Sequence, residues 1–386
     1  MRIAMLLHKS VAHDTRVQRE ASALAAAGHE VTVIHLPPPE EADDPEGPPF
    51  ARVPATLPRG RERLPRPARL GTEAARLAWR AAATRPDAIH AHDAAMLLPG
   101  LLAARRSGAR LVYDSHELAT GVAYRRGAWP AVVAGAERLA VPRADAVIAV
   151  SDGIAAQLGE RYRLRRPATV IRNLPDLPPP DPARAPDLRR ELGIGTAPLI
   201  LHQGAVAPGR GCETLLRALA QMPGAQLLFL GAEGPYAERL GALAAGAGIA
   251  ARVHLRGPVR PETLLSHTAQ ADVGVSLLED TCENHRLALP NKLFEYLAAG
   301  LPVVVSELPE ASQLVRTRGI GRCADPADPG SVAAALGSLL GERDSGLRER
   351  VERSAAELSW REEKRRLLDL YEELALAAGA PSNASR

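Results

Sequence analysis

Asn173-Leu-Pro-Asp-Leu-Pro-Pro-Pro-Asp-Pro-Ala-Arg-Ala-Pro186 divides this chain in two. Six prolines in fourteen residues stop any regular element and stiffen the backbone, because each removes a donor and fixes φ. Before it, β-rich runs alternate with helical patterns. Strands are expected at Arg2 to Leu7, Glu30 to Leu36, Ala88 to His92, Arg110 to Asp114, Ala146 to Ser151 and Ala168 to Arg172, with helices between them such as Thr15 to Ala27. After it the alternation restarts, near Leu199 to Gln203, Gln226 to Leu230, Arg252 to Leu255, Val273 to Leu277 and Pro302 to Ser306. This is the pattern of an α/β protein with two Rossmann-like, doubly wound parallel-sheet domains. Ligands of such sheets bind at the carboxyl ends of the strands, so two facing domains would place a site in the cleft between them. The expected division is an N-terminal domain over 1–174, a hinge at 175–190, a C-terminal domain over 191–358, a helix over 359–378 packing back across the cleft, and a disordered tail at 379–386.

At 386 residues the chain is long enough for two cores, and a formal net charge of +3 implies no nucleic-acid footprint. Cys212, Cys282 and Cys323 are far apart and lack metal-site or disulfide spacing, which fits a reducing, cytoplasmic setting. The apolar start, Met1 to His8, is too short for a signal peptide and reads as a buried strand, and no stretch approaches the ~18 apolar residues of a membrane span. Only Lys9, Lys292 and Lys364 are lysines among 48 basic residues, which makes Lys292 conspicuous. Pro37 to Arg69 reads as a long irregular loop, rich in Pro and Arg, with acids at Glu40, Glu41, Asp43, Asp44 and Glu46. It is either a solvated excursion or, through Arg59, Arg61, Arg63, Arg66 and Arg69, a contact to an anionic lipid surface or a phosphorylated acceptor.

Two stretches carry chemistry. In Leu199 to Thr214 and in Leu287 to Pro302 a turn feeds a helix whose first N–H groups are unpaired, and a cation sits at the turn: Arg210 in one, Lys292 in the other. Helix starts favour negative charge and a cation adds charge-assisted hydrogen bonds, so each is a site for anionic phosphate. Glu295, one turn after Lys292 on the same helix face, is placed to accept hydrogen bonds from a diol such as a ribose. Together they describe a nucleotide-diphosphate pocket.

Six motifs in order then match a family: Gly28 to Val33, His90-Ala-His-Asp93, Asp114-Ser-His-Glu117, Asp145 to Gly153, Gly204-Ala-Val-Ala-Pro-Gly-Arg-Gly211 and Pro290-Asn-Lys-Leu-Phe-Glu-Tyr296. Over nearly its whole length the chain resembles the retaining GT-B glycosyltransferases of family 4. The resemblance implies an N-terminal acceptor-binding domain and a C-terminal domain holding a nucleotide-sugar, UDP-, GDP- or another. It assigns Arg210 and Lys292 to the diphosphate with Gly204, Gly209 and Gly211 of the turn, and Glu295 to the ribose. The backbone at Gly257 and Val259 is assigned to the base, and Ala288, Leu289, Pro290 and Asn291 to the second helix start. His116 would approach the transferred sugar, so the expected catalytic set is His116, Arg210 and Lys292. On the acceptor side His13, Asp14 and Arg16 are candidates, Asp14 also as a helix cap. No metal and no cofactor are implied, since cations and helix dipoles carry the leaving charge. Partners would be a nucleotide-sugar and a glycan, lipid-linked or small-molecule acceptor, with peripheral contact at the cytoplasmic membrane face kept open.

Two departures stand out. Ala205 occupies a position where the family often has arginine, and Leu287 one where it often has a glutamate that contacts the transferred sugar; Glu279 or Glu283, just upstream, is the carboxylate to stand in. Three rivals compete: a nicotinamide dehydrogenase, a nucleotide-sugar epimerase or hydrolase, and a non-catalytic binding copy. The first lacks Gly-x-Gly-x-x-Gly after the first strand, where Leu7 to Asp14 stands instead.

Overall fold

A computed structural model describes residues 1–36, 48–55, 65–122, 129–185, 187–341 and 345–379. The chain forms two compact units, Met1–Asn173 joined by the chain from Arg361 onward, and Leu174–Trp360.

The first unit holds strands β1 (Arg2–Leu7), β2 (Glu30–His35), β3 (Ala51–Pro54), β4 (Ala88–His92), β5 (Arg110–Ser115), β6 (Ala146–Ala149) and β7 (Thr169–Val170) in the order β3-β2-β1-β4-β5-β6-β7. Helices α1 (Thr15–Ala26), α2 (Arg66–Ala83), α3 (Asp93–Ser107), α4 (Trp129–Ala140) and α5 (Asp152–Tyr162) connect them. The second unit opens with α6 (Leu188–Leu192). Its strands β8 (Leu199–Gln203), β9 (Gln226–Leu230), β10 (Val253–Arg256), β11 (Val273–Ser276), β12 (Val303–Ser306) and β13 (Gly321–Ala324) run in the order β10-β9-β8-β11-β12-β13. Its remaining helices are α7 (Cys212–Ala220), α8 (Gly234–Gly246), α9 (Pro261–Thr268), α10 (Glu283–Leu287), α11 (Asn291–Ala298), α12 (Pro309–Arg318), α13 (Pro329–Gly341) and α14 (Ser345–Glu357), and α15 (Trp360–Gly379) returns the chain to the first unit.

Every strand pair is parallel. The central strands β4 and β8 are buried at all positions, as helices on both faces require. In each sheet the strand order reverses once, at β1/β4 and at β8/β11, and the crevice at such a switch point is where these sheets hold ligands.

Three local expectations change. Pro37 to Arg69 is not irregular throughout: β3 pairs with β2, Thr32 opposite Ala51, and α2 starts at Arg66. A four-residue edge strand containing Arg52 and Pro54 shows no alternation to read. Arg69 pairs with Glu73, while Arg59, Arg61, Arg63 and the acids of 40–46 lie outside the described residues, as does the tail after Gly379. The edge strand β13 went unread for the same reason as β3. The proline-rich segment packs along the second unit: Leu174 is fully buried in that core, Asp181 N donates to Ser266 Oγ at 3.0 Å, and Leu188 N to Gln270 Oε1 at 2.7 Å.

Candidate functional site

In the second unit the site begins where β8 ends. Gly204 turns the chain with φ 81° and donates its N–H to Leu230 O at 2.8 Å. Gly211 caps α7 with φ 67°, and a Cβ there would lie 2.5 Å from Leu277 Cβ and 2.6 Å from its carbonyl oxygen. Only glycine lets the turn lie this close across the end of β11. Two bonds fasten it: Glu279 N donates to Gly209 O at 3.0 Å, and Gly211 N to a Glu279 carboxylate oxygen at 3.3 Å. Glu279 is therefore engaged by the turn rather than held ready for a sugar; Glu283 opens α10.

Tyr296 locks α11 to the same sheet end. Its ring lies against Gly274, where a Cβ would come within 2.3 Å, and its buried hydroxyl accepts from Gln203 N at 2.8 Å. That anchor sets Lys292 Nζ 3.1 Å from His202 Nε2 and Glu295 Oε2 2.6 Å from Gln203 Nε2. Burial, reinforced by the Arg210 charge, lowers the Lys292 pKa to about 8. Burial first and then Lys292 hold His202 well below its ordinary range, so its neutral Nε2 accepts from the ammonium. Arg210 is half-buried and, among the described residues, has no ion-pair partner; Glu213, one possible partner by sequence, accepts from Tyr236 OH. Among the described residues neither of the two cations at these helix starts has a carboxylate at ion-pair distance, so both are available to an anionic ligand.

The turn after β10 joins this end of the sheet, because Arg256 O accepts from Gly231 N and Ala232 N, both at 2.8 Å, and Gly231 packs on Gly204. Gly257 is exposed there and Val259 half-buried. Ala288 and Pro290 are extended leading into α11, and Asn291 is exposed at its first position. Of these groups, His202 and Gln203 were not read from sequence as site residues; the signal was two polar side chains closing an otherwise apolar strand.

The first unit gathers a charged cluster at the ends of β4 and β5. Arg16 forks onto Asp114 with Nε and Nη2 at 2.9 Å each, donates Nη1 to Ile171 O at 3.0 Å, and lies 3.0 Å from Glu20. His116 Nε2 and His92 Nδ1 approach the same Asp114 oxygen at 3.1 and 3.3 Å. His90 stacks on His92 with centroids 4.2 Å apart, and its Nδ1 meets Tyr371 OH at 2.9 Å. His116 Nδ1 faces Asp93 at 3.5 Å. Burial opposes the His116 imidazolium, but Asp93 and Asp114 together outweigh it and raise the pKa to about 9. Burial and His90 push His92 down to about 3, burial raises Glu20, and Asp114, despite burial, is held well below its usual range by Arg16 and His116.

Arg16 requires a correction: it is 2% exposed with its donors spent inside the cluster, so it is not a surface contact for an acceptor. Asp14 caps α1 by accepting from Val17 N at 3.1 Å and pairs with Lys9 at 3.0 Å; His13 lies in the turn just before it. Glu20, His90, His92 and Asp114 bring ligand-type atoms within 4.8 Å of one another. The Arg16 guanidinium already supplies the countercharge to both carboxylates, so these residues form an ion network rather than a site fitted to a cation.

Comparison with known proteins identifies the family and the fold. Residues 14–177 match the family described as Glycosyltransferase Family 4, and residues 197–342 match the group described as Glycosyl transferases group 1. The chain is 30% identical over 317 residues to a D-inositol 3-phosphate glycosyltransferase of Geodermatophilus obscurus, covering 76% of this chain and 68% of that protein. It is 31% identical over 174 residues to a GDP-mannose-dependent alpha-(1-6)-phosphatidylinositol monomannoside mannosyltransferase of Mycobacterium tuberculosis, covering 43% of this chain and 44% of that protein, so it matches less than half the length of that relative. In fold it is similar to sucrose-phosphate synthase from Thermosynechococcus elongatus, with a TM-score of 0.75 at 22% identity, covering 98% of this chain and 100% of that one.

Proposed function

The chain belongs to glycosyltransferase family 4, and from that premise we propose that it moves a sugar from a nucleoside-diphosphate sugar to an acceptor hydroxyl, with retention of anomeric configuration and without a metal ion. The observation that carries this is the pair of unneutralised cations, Arg210 and Lys292, at the starts of α7 and α11. A nucleotide-sugar is activated because its diphosphate leaves as a stabilised anion. Arg210 and Lys292 take up that charge, with the turn of Gly204, Gly209 and Gly211 holding the phosphates. Glu295, oriented by Gln203, accepts from the ribose hydroxyls, and Gly257 and Val259 border the base.

His116, with its raised pKa, is a poor base at neutral pH; its N–H groups are turned to Asp93 and Asp114, so what it brings to the transferred sugar in the transition state is positive charge. No side chain serves as general base; a diphosphate oxygen takes the acceptor proton. Both curated relatives are named for inositol-containing substrates, so an inositol-type polyol, free or lipid-linked, is the first acceptor class to try, and GDP- and UDP-sugars the first donors. A lipid-linked acceptor fits a peripheral position at the cytoplasmic membrane face. Among the described residues no helix is long and apolar enough to cross a membrane.

A thermal-shift screen across nucleotide-sugars tests the donor, since a ligand that binds only the folded state raises Tm by mass action. NMR of the product's anomeric proton tests the stereochemistry. An inverted product, or no shift with any nucleotide-sugar, overturns the reading.

A further inference from the structure

Nine large apolar side chains are exposed among the described residues, and seven of them sit on α2, α3 and α4. The clustering is local: α2 packs on α3 and α3 on α4. On α3 the outward stripe is Ala95, Leu98, Leu102 and Arg105, the spacing of one helix face; on α2 it is Gly71, Ala75 and Trp79. Trp79 is 60% exposed, and Trp129 at the start of α4 is also exposed; these are two of the chain's three tryptophans. An indole on the surface costs solvation free energy unless something covers it.

Charge identifies the cover. Each of the three helices ends in arginine: Arg80 on α2, Arg105 and Arg106 on α3, Arg138 on α4. All three run back from the carboxyl end of one parallel strand to the start of the next, so their last turns lie at the same edge of the sheet. That edge therefore carries four arginines, with the exposed Trp79, Leu102 and Leu139 within a turn of them along the same helices. Among the described residues no carboxylate pairs with these four arginines. The acids of the same helices are occupied. Glu73 pairs with Arg69, Asp93 faces His116, and Glu137 is buried between the hydroxyls of Tyr113 and Tyr162.

We propose that this face of α2, α3 and α4 docks on an anionic membrane surface, with Trp79, Leu102, Trp129 and Leu139 entering the headgroup boundary and the four arginines meeting lipid phosphates. Tryptophan favours that boundary because its ring is apolar and its N–H polar, and a neighbouring cation adds attraction to anionic lipid. The carboxylates beside Arg106 at that edge, Asp87 and Asp145, are already paired with Arg2 and Arg110, so the charge left over is cationic and suits an anionic lipid surface rather than an acidic protein of fixed register. The surface builds on the peripheral position proposed above and is independent of the donor chemistry.

Flotation of the full chain with vesicles tests it. Binding to phosphatidylcholine vesicles containing 30 mol% phosphatidylglycerol should be strong at 50 mM salt, weak at 500 mM, and weak with phosphatidylcholine alone, on the order of the screening expected for exposed charges. Arg80→Gln with Arg138→Gln should lower affinity by about 25-fold, at roughly fivefold per cation. Trp79→Gln with Leu102→Gln should lower it by about tenfold or more. Leu243→Ser, an exposed apolar residue of the second unit, should leave it unchanged. All variants should keep the parental Tm and nucleoside-diphosphate affinity, which separates this surface from the transfer site. Absence of binding to anionic vesicles, or binding indifferent to both double variants, overturns the proposal. So does sedimentation showing that the face instead joins two copies of the chain, with Trp79→Gln yielding monomer.

Discussion

Replacing Lys292 by Met separates two effects that have opposite signs. In the free protein Lys292 is 8% exposed and its pKa is lowered from 10.5 to about 8, mainly by burial and further by Arg210. At 1.36 kcal/mol per unit, holding it charged costs the fold about 3 kcal/mol at neutral pH. A folded pKa below the unfolded one means that the unfolded chain binds more protons between pH 8 and 10.5, so stability rises across that window and the cost is fully present below pH 8. Lys292→Met should therefore raise the Tm of the unliganded protein at pH 7.

The same ammonium is the proposed partner of the diphosphate, and losing a charge-assisted contact in a shielded site costs roughly 2–3 kcal/mol, about 30- to 150-fold in affinity. Parental affinity should also depend on pH with a determined sign. A bound diphosphate restores the ammonium, so affinity is flat below pH 8 and falls roughly tenfold per unit as pH rises above it. Calorimetry with a nucleoside diphosphate at pH 7 and 9.5, with Tm recorded in parallel, reads all three. A variant that binds like its parent, or a parental affinity flat to pH 9.5, refutes the placement of the diphosphate at Lys292.

His116→Ala should lower kcat by ~10²-fold or more while nucleoside-diphosphate affinity stays within a few-fold, the split of a group that acts in the transition state; unchanged turnover of the folded fraction would return it to a structural role. Because the folded pKa of His116 is raised to about 9 from 6.5, its contribution to stability is full below pH 6.5 and is lost as pH rises through 9. NMR titration should show that Asp114→Asn moves the His116 midpoint downward, and the same variant should lose about 3 kcal/mol in denaturant unfolding, because Arg16 loses the carboxylate it forks onto and keeps only Glu20 as countercharge. Gly211→Ala, with φ 67° and a Cβ 2.5 Å from Leu277, should cost roughly 2–4 kcal/mol and displace the phosphate turn, whereas Gly209→Ala meets nothing closer than His285 at 3.8 Å and should cost about 1 kcal/mol. Turnover should survive saturating chelator; complete loss, restored by magnesium or manganese, would refute metal-independent transfer.

What could be read locally was read well where burial imposes a pattern. β1, β4, β8 and β9 match their expected limits to the residue, because a strand covered on both faces is built mainly of apolar residues, with polar ones confined to a few buried positions, and is bounded by turns. The edge strands β3, β7 and β13 are short or half-exposed, so nothing in their composition enforces a period, and they were missed or overextended.

The chain alone determined the alternation that makes parallel sheets, the interruption at Asn173, the glycines of the turn after β8, and the conspicuous cations Arg210 and Lys292. Those depend on local backbone preference and on spacing along one helix, both of which are properties of neighbouring residues. The partners were decided by tertiary structure. That Lys292 rests on His202, Glu295 on Gln203, and Tyr296 in the space left by Gly274 joins residues 22 to 92 positions apart. Arg16 shows the difference most plainly: its neighbours on α1 suggest a helix surface, but strand pairing brings Asp114, 98 residues away, beneath it, and a buried carboxylate claims the guanidinium before any acceptor can. Sequence distance carries no information about which charges will share a dry interior, and the low dielectric of that interior decides which cation is spent on the fold and which remains for a ligand.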